Sequence, residues 1–507
     1  MGNVLVKEET LAQIADVIRE KSGSSDSYRP GEMPEAILEI STYSGEGADP
    51  NKPIRFYDPY GNLIYSYTVN EFSVMTELPP LPEYRGLIGQ EWNWSLEKIK
   101  TVNGEVEIGS NYITDDGNTR IYVTLEGELN PKIGFTQSAA NSVLIDWGDE
   151  TDLSSSDIFG DEMVSIEHQY AKPGNYVICL IPVDGAEYTL VGDSYSTKIL
   201  HKTTDNFYGN RVYGNAIRKI EIGKGITEFS TRCFNCASLE SVTVPKEITA
   251  FGNAFQGTKR IKCITLPKAV TSLTSYAVRG SAQLEKIFFS ESKISLGGTS
   301  FAECCSLKEL VIAADMTLSY TDIFADCTAL RKVKILGNIT RLGSDMFSSC
   351  DSLSEVIFPE NLTNLGDSMF SHCESLLNIN IPESVKEIGA TCFYYCYALK
   401  SVNIPEKVTK INANTFYCCY SLREITIPKD VTEIMTSAFG NCYGMEHYYI
   451  LPETPPVLGN VNVFDKIPKT CKIHVPKGCL EVYQTAEYWS EYADHMTSNA
   501  SWNLRLQ

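Results

Sequence analysis

The chain carries 16 cysteines and six histidines in 507 residues, enough thiol and imidazole for zinc, disulfide or nucleophilic chemistry if the spacing allows it. The spacing argues against all three. Seven cysteines, Cys304, Cys327, Cys350, Cys373, Cys396, Cys419 and Cys442, recur at a constant step of 23 residues (327 − 304, and so on). Such a step sets one small side chain at the same point of successive coils, where a free thiol behaves as a small hydrophobe. Cys233-Phe-Asn-Cys236 has C-x-x-C form, but Cys233, like Cys392, merely precedes a recurring Phe, and no second pair stands at zinc spacing. The thiols read as reduced and structural, which suits assembly in a reducing cytoplasm. His168, His201, His372, His447, His474 and His495 are scattered, none in His-Glu-x-x-His order, and no phosphate loop or nucleophile elbow is present. Acidic pairs abound in so acidic a chain, so a carboxylate pair stays open from sequence alone. The balance points to a non-enzymatic protein with no metal and no cofactor.

Recognition is the chemistry that the spacing does support. Tyr397, Tyr420 and Tyr443 each follow a column Cys, so they should lie one above another, about 5 Å apart. Tyr394 and Tyr417 form a second short column, with Tyr395 beside them and His372 one coil earlier. His447, Tyr448 and Tyr449 are expected to close the array, while Asp351 and Glu374 precede Tyr397 in its column and confine the strip to the C-terminal repeats. Exposed aromatic rings with hydroxyl groups suit glycans or protein surfaces. The competing reading is that these rings only cover the edges of adjacent coils. A second candidate surface is the outward sheet column Lys334, Ile357, Asn380, Asn403 and Thr426, in which Asn380 and Asn403 could be no more than a side-chain ladder.

The element that must position these columns is the repeat itself, from about Ile217 to Ile450. Phe301, Phe324, Phe347, Phe370, Phe393, Phe416 and Phe439 keep the 23-residue step, and each is followed by the column Cys and then by Leu or Met. After the Leu comes a short strand ending in Pro, as in Ile379-Asn-Ile381-Pro382 and Ile425-Thr-Ile427-Pro428. A second apolar pair, such as Val385 and Ile388, precedes the next Phe. About ten such units predict a solenoid, each burying its apolar face against its neighbours. The pattern resembles the BspA-type leucine-rich repeats of bacterial surface adhesins and some protist surface proteins. Residues after 450, including Cys471-Lys-Ile-His-Val-Pro and Trp489-Ser-Glu-Tyr, resemble the terminal cap of that repeat family.

The remaining segments predict a multidomain, mainly β chain. Residues 1–41 read as two short amphipathic helices, with Leu11, Ile14, Ala15 and Ile18 on one face, and resemble a segment near the start of minor structural and tail-associated proteins of phages of Gram-positive gut bacteria. That resemblance implies docking to other virion or tail proteins. Residues 42–52 form a Ser/Gly/Pro-rich linker. Residues 53–105 look like a small β-grasp-type module whose core Trp92 and Trp94 fill, the other reading being an exposed sugar platform. Residues 106–200 resemble a PKD-type Ig-like β-sandwich through Asp146-Trp-Gly-Asp149, His168-x-Tyr170 and Pro173-Gly-x-Tyr176, with Glu150 where that family has Gly. Asp146, Asp149 and Asp152 lack the alternating oxygen spacing of a calcium loop. The solenoid is expected over 201–450 and the cap over 451–507. A net charge of −21 argues against nucleic acid, and no apolar run reaches membrane-spanning length. The expected function is a virion structural protein, made in the host cytoplasm, that grips a host cell-surface glycan or protein. A bacterial surface or secreted adhesin is the alternative. No secretory signal is apparent, and a homo-oligomer stays open because no heptad run specifies one.

Overall fold

The computed structural model describes residues 52–102, 104–127, 129–191, 200–201, 216–229, 238–317 and 320–498. The expected helical segment 1–41, nearly all of the 42–52 linker and Cys233-Phe-Asn-Cys236 lie outside these residues. The described chain is mainly β, with a C-terminal solenoid of about 12 coils.

Each coil is built from two short strands and a tight arc. The first strand carries the alternating pair, as in Lys332–Ile335 and Glu424–Ile427, and stacks in parallel on its successor one coil later. The second is shorter, as in Glu387–Ile388 and Glu433–Ile434, and repeats the same parallel stacking. Between them the arc carries the Phe, Cys and Leu columns, all buried. From Phe301 to Phe464 the rings form one continuous stack, with neighbouring centroids 5.3 to 5.9 Å apart and planes within 11°. Each column thiol donates to the carbonyl of the Phe-column residue in the preceding coil, as Cys396 does to Phe370 O at 3.2 Å and Cys419 to Phe393 O at 3.3 Å. Ser281 makes the same bond to Phe255 O at 3.1 Å, which shows that the column selects a small donor and not thiol reactivity.

The arc turns through two left-handed positions per coil. Thr299, Asp322, Asp345, Ser368, Thr391, Asn414 and Ser437 occupy one, and Glu303, Asp326, Ser349, His372, Tyr395, Cys418 and Asn441 the other, all with φ between 51° and 63°. Small polar residues tolerate this region best, so Tyr395 is the costly member, at about 1 kcal/mol.

The expected β-grasp-type stretch contains strand β1 (Ile54–Tyr57) between β2 (Leu63–Tyr67) and β4 (Val106–Ile108), helices α1 (Val69–Ser73) and α2 (Leu96–Thr101), and a separate pair of β3 (Leu87–Trp92) with β5 (Ser110–Thr114). The β3–β5 pairing crosses the boundary expected at 105/106. Phe56, Phe72 and Trp92 form its core. Trp94, only 1% exposed, donates from Nε1 to Phe289 O at 2.8 Å and so fills the junction with the solenoid. Neither Trp is a sugar platform.

Two sheets follow. β7 (Lys132–Gln137) pairs with β9 (Val164–Glu167), β11 (Tyr188–Leu190) and β12 (Leu200–His201). In the other sheet, β6 (Thr119–Leu125), β8 (Val143–Asp146) and β10 (Gly174–Pro182) are joined by β13 (Ile217–Glu221) and β14 (Ser241–Thr243) of the solenoid, in the order β14-β13-β6-β10-β8. The first coil is thereby closed by sheet hydrogen bonds, as an open solenoid end requires. Glu150 takes φ 66°, the conformation a Gly would adopt at least cost. Asp149 accepts from Thr151 and contacts His168 Nε2 at 2.8 Å, while His168 lies flat on Trp147 at 4.7 Å. At the other end the ladder continues beyond residue 450, through Lys472–Val475 to Met496–Ser498, while Trp489 and Tyr492 cover the last Phe ring and Tyr483 packs behind Trp489.

Candidate functional site

The C-terminal arcs assemble the expected aromatic strip. Successive arcs are tied by backbone bonds, Tyr395 N to Tyr417 O at 2.9 Å and Cys418 N to Gly440 O at 2.9 Å, which fix the spacing of the side chains they carry. Tyr397 stacks on Tyr420 at 4.8 Å, and Tyr420 on Tyr443 at 5.2 Å. Tyr394 stacks on Tyr417 at 5.3 Å with planes 16° apart. Tyr395 bridges the two columns, 4.2 Å from Tyr394 and 5.5 Å from Tyr397, and His372 extends the group at 4.8 Å from Tyr395. Gly440 leaves room for the Tyr417 ring, which a Cβ there would meet at 2.9 Å.

Mutual stacking and exposure coexist in this strip. Tyr420 is 39% and Tyr443 51% exposed, and the remaining rings are half-buried. Behind them runs a small polar network: Tyr443 donates to Asn441 Oδ1 at 3.2 Å, and Asn441 donates to Cys418 Sγ at 3.5 Å. A hydrogen bond with Tyr395, reinforced by burial, pushes the Tyr394 hydroxyl up to about 12. A bond with Cys418 and then burial raise that of Tyr420, and burial with nearby Glu374 raises that of Tyr397. All three therefore present neutral hydroxyls at physiological pH. A row of flat faces edged by neutral donor–acceptor groups is suited to holding a sugar or a protein surface.

Three residues of the expected array stand elsewhere. His447 and Tyr449 lie on the strand His447–Ile450, in register with Glu424 and Thr426, so Tyr449 extends the outward sheet column and His447 the neighbouring Glu424 column, and neither closes the Tyr strip. Tyr448 points inward and is fully buried. On that strand Tyr449 stacks on His474 at 4.9 Å, and His474 Nε2 lies 3.1 Å from His447 Nδ1. Burial, then the neighbouring His447 and Lys472, lower the pKa of His474, favouring a neutral imidazole. His474 was not singled out with this group because the last coil is longer, 25 residues from Phe439 to Phe464. Strand register, not the arc count, is the signal that joins it to Tyr449.

The second candidate, the sheet face, is divided. Its N-terminal part is covered by the module of residues 54–114. Asn93 donates to Leu266 O and Phe288 O, Asn111 donates to Val244 O, and Tyr57 packs on Phe288 at 4.7 Å. Gly109 sits so close that a Cβ would meet Thr265 at 2.5 Å. Lys286 pairs with Glu107 at 3.1 Å, and Lys334 and Arg55 both pair with Glu105. Beyond Lys334 the face is open. There Asn403 accepts from Ile381 N and donates to Ile381 O, both at 2.7 Å, so it clasps the preceding coil, while the Asn380 amide is exposed.

Among the described residues no group of three or more His, Cys, Asp or Glu could hold a metal ion, and all the described cysteines are free. No helix of the described residues is long and apolar enough to cross a membrane.

Residues 196–277 and 320–446 match the BspA type leucine rich repeat region, in six copies. No curated protein matches the chain. Among solved structures, a leucine-rich repeat protein from Bacteroides ovatus is 23% identical, with 62% of this chain and 95% of that one covered and a TM-score of 0.40. The T. pallidum leucine rich repeat protein is 26% identical over 36% of this chain and 77% of its own, with a TM-score of 0.27. A leucine rich cell surface protein from Faecalibacterium prausnitzii is 18% identical over 63% and 92%, with a TM-score of 0.29. The coils that carry the tyrosine strip are BspA-type leucine-rich repeats.

Proposed function

We propose that this chain is a non-enzymatic adhesion protein whose solenoid grips a cell-surface glycan or protein through the tyrosine strip. The observation that carries the reading is the run Tyr397–Tyr420–Tyr443, stacked at 4.8 and 5.2 Å yet increasingly exposed toward the C-terminal end. The repeat type supports it, since such repeats are typical of non-enzymatic binding proteins and often of bacterial surface adhesins.

The finer reading is a tail-associated virion protein that binds the host, with residues 1–41 docking to other virion components and the intervening modules acting as spacers. Its support is the residue order of that first segment. A bacterial surface or secreted adhesin is the second reading, and the repeat type itself favours it. Gene neighbourhood separates the two, because tail-assembly genes on both sides are expected only of the first. Adhesion is tested by immobilising the full-length protein and passing envelope fractions of Gram-positive gut bacteria over it. Retention of a defined glycan or protein is expected, and retention of none across a panel of such fractions contradicts the proposal.

A further inference from the structure

The open part of the sheet face continues the surface on which the chain's own small module packs. Up to Lys334 it is matched by the module of residues 54–114, whose Glu105 and Glu107 meet the basic side chains of that half. From Ser354 onward the same face forms a trough of about 1200 Å³, ending at Tyr449 and Leu451. The strand ladder is interrupted along it. Among the described residues no ladder pairing joins Glu355–Ile357 to Asn378–Ile379, nor Ser401–Val402 to Glu424–Ile427.

Its charge is the reverse of the covered half. No Lys or Arg lines the trough, whereas Glu355, Glu383, Glu406 and Glu424 do. Glu355 is matched by Lys332 at 2.8 Å, but Glu383, Glu406 and Glu424 have no ion pair among the described residues. Between these carboxylates lie the exposed Asn378 and Asn380, flat donor–acceptor groups of the type with which Asn93 and Asn111 meet the covered half. From the continuity of this interface and the inverted charge we infer that the trough accepts an extended, lysine- or arginine-bearing segment of a partner protein. The net charge of −21 disfavours a second copy of this chain as the occupant. The site lies on the strands and not on the arcs, so its failure leaves the tyrosine strip untouched.

The test uses the full-length chain and a fluorescein-labelled decapeptide of alternating lysine and serine, read by anisotropy at low and physiological salt. The triple variant E383Q/E406Q/E424Q is expected to bind at least about tenfold more weakly at low salt. The exposed loop variant D157N/D161N/E162Q removes the same charge elsewhere and is expected to bind as the parent does. Thermal transitions of both confirm folding. No binding by the parent, or equal losses in the two variants, overturns the inference. So does tighter binding of fully deacetylated chitohexaose than of the peptide, which would make the ligand a cationic glycan.

Discussion

Asn93 is the residue on which the docking of the small module should depend most. Its side chain is 0% exposed, accepts from Gly109 N at 2.9 Å, and donates to Leu266 O at 3.2 Å and Phe288 O at 3.0 Å. Replacing it with Ala removes all three bonds. Phe288 O keeps a second donor, Leu266 N at 3.0 Å, so the main cost falls on Leu266 O and Gly109 N–H, which lose this partner in a buried junction. At about 1–3 kcal/mol for each buried group left bare, Asn93→Ala should cost about 2–4 kcal/mol. Asn93→Asp is the sharper probe. It keeps the shape and the acceptor for Gly109 but turns a second oxygen toward two carbonyl oxygens. Its folded pKa is thereby raised above the unfolded value of about 3.9, so its deficit is smallest below that pH and grows as pH rises toward the folded pKa, by about 1.4 kcal/mol per unit of separation. Hydrogen exchange over residues 87–114 and urea unfolding followed by tryptophan fluorescence at pH 4 and pH 8 measure both effects. Losses under about 0.5 kcal/mol for both variants, with unchanged exchange at Gly109, would refute the assignment of Asn93 as the buried clasp.

Two further outcomes follow from the columns inside the coils. Phe370 lies buried between Phe347 at 5.9 Å and Phe393 at 5.6 Å, so Phe370→Ala should cost about 3–5 kcal/mol, with accelerated exchange concentrated in adjacent coils. A loss below about 1 kcal/mol would show that the stack is not a packed core. Iodoacetamide at pH 8 should modify exposed Cys305 well before any column thiol, because burial pushes Cys327 and Cys442 up to about 12. Peptide mass spectrometry checks the order, and early labelling of Cys373 or Cys396 in the folded protein would contradict it.

The solenoid was legible because one chemistry repeats at one step: a Phe that stacks, a small donor that reaches back one coil, and a Leu that closes the arc. The tyrosine strip was legible for the same reason, since any residue at a fixed offset from the Phe must lie above its equivalent. His447 and Tyr449 were misplaced because they were counted from the arc. The outward column read forward from Asn403 and Thr426 by the same 23 residues reaches Tyr449 and gives its true place. The left-handed positions left only a trace, the Asp, Asn, Ser and Thr at most of those sites, which Glu303, His372, Tyr395 and Cys418 break. Docking of the small module left none. Asn93 and Phe288, or Glu105 and Lys334, are isolated partners 195 and 229 residues apart, and no period links them. Nor could a boundary drawn by composition show that Ile217–Glu221 serves two structures at once, as the first coil and as a strand beside Thr119–Leu125.

That shared strand also governs how binding should be measured, because a fragment starting at 217 would strip β13 of its partner and expose a sheet edge. Full-length protein is therefore the material for the decisive comparison, depletion from solution by intact cells of a strain whose envelope it retains. Tyr397→Ala with Tyr420→Ala is expected to cut the bound fraction at least about tenfold, since two central aromatic anchors are lost. The thermal transition should stay within a few degrees of the parent, since Tyr420 is 39% exposed and Tyr397 only half-buried. Undiminished cell binding by the folded double variant would contradict adhesion through the tyrosine strip.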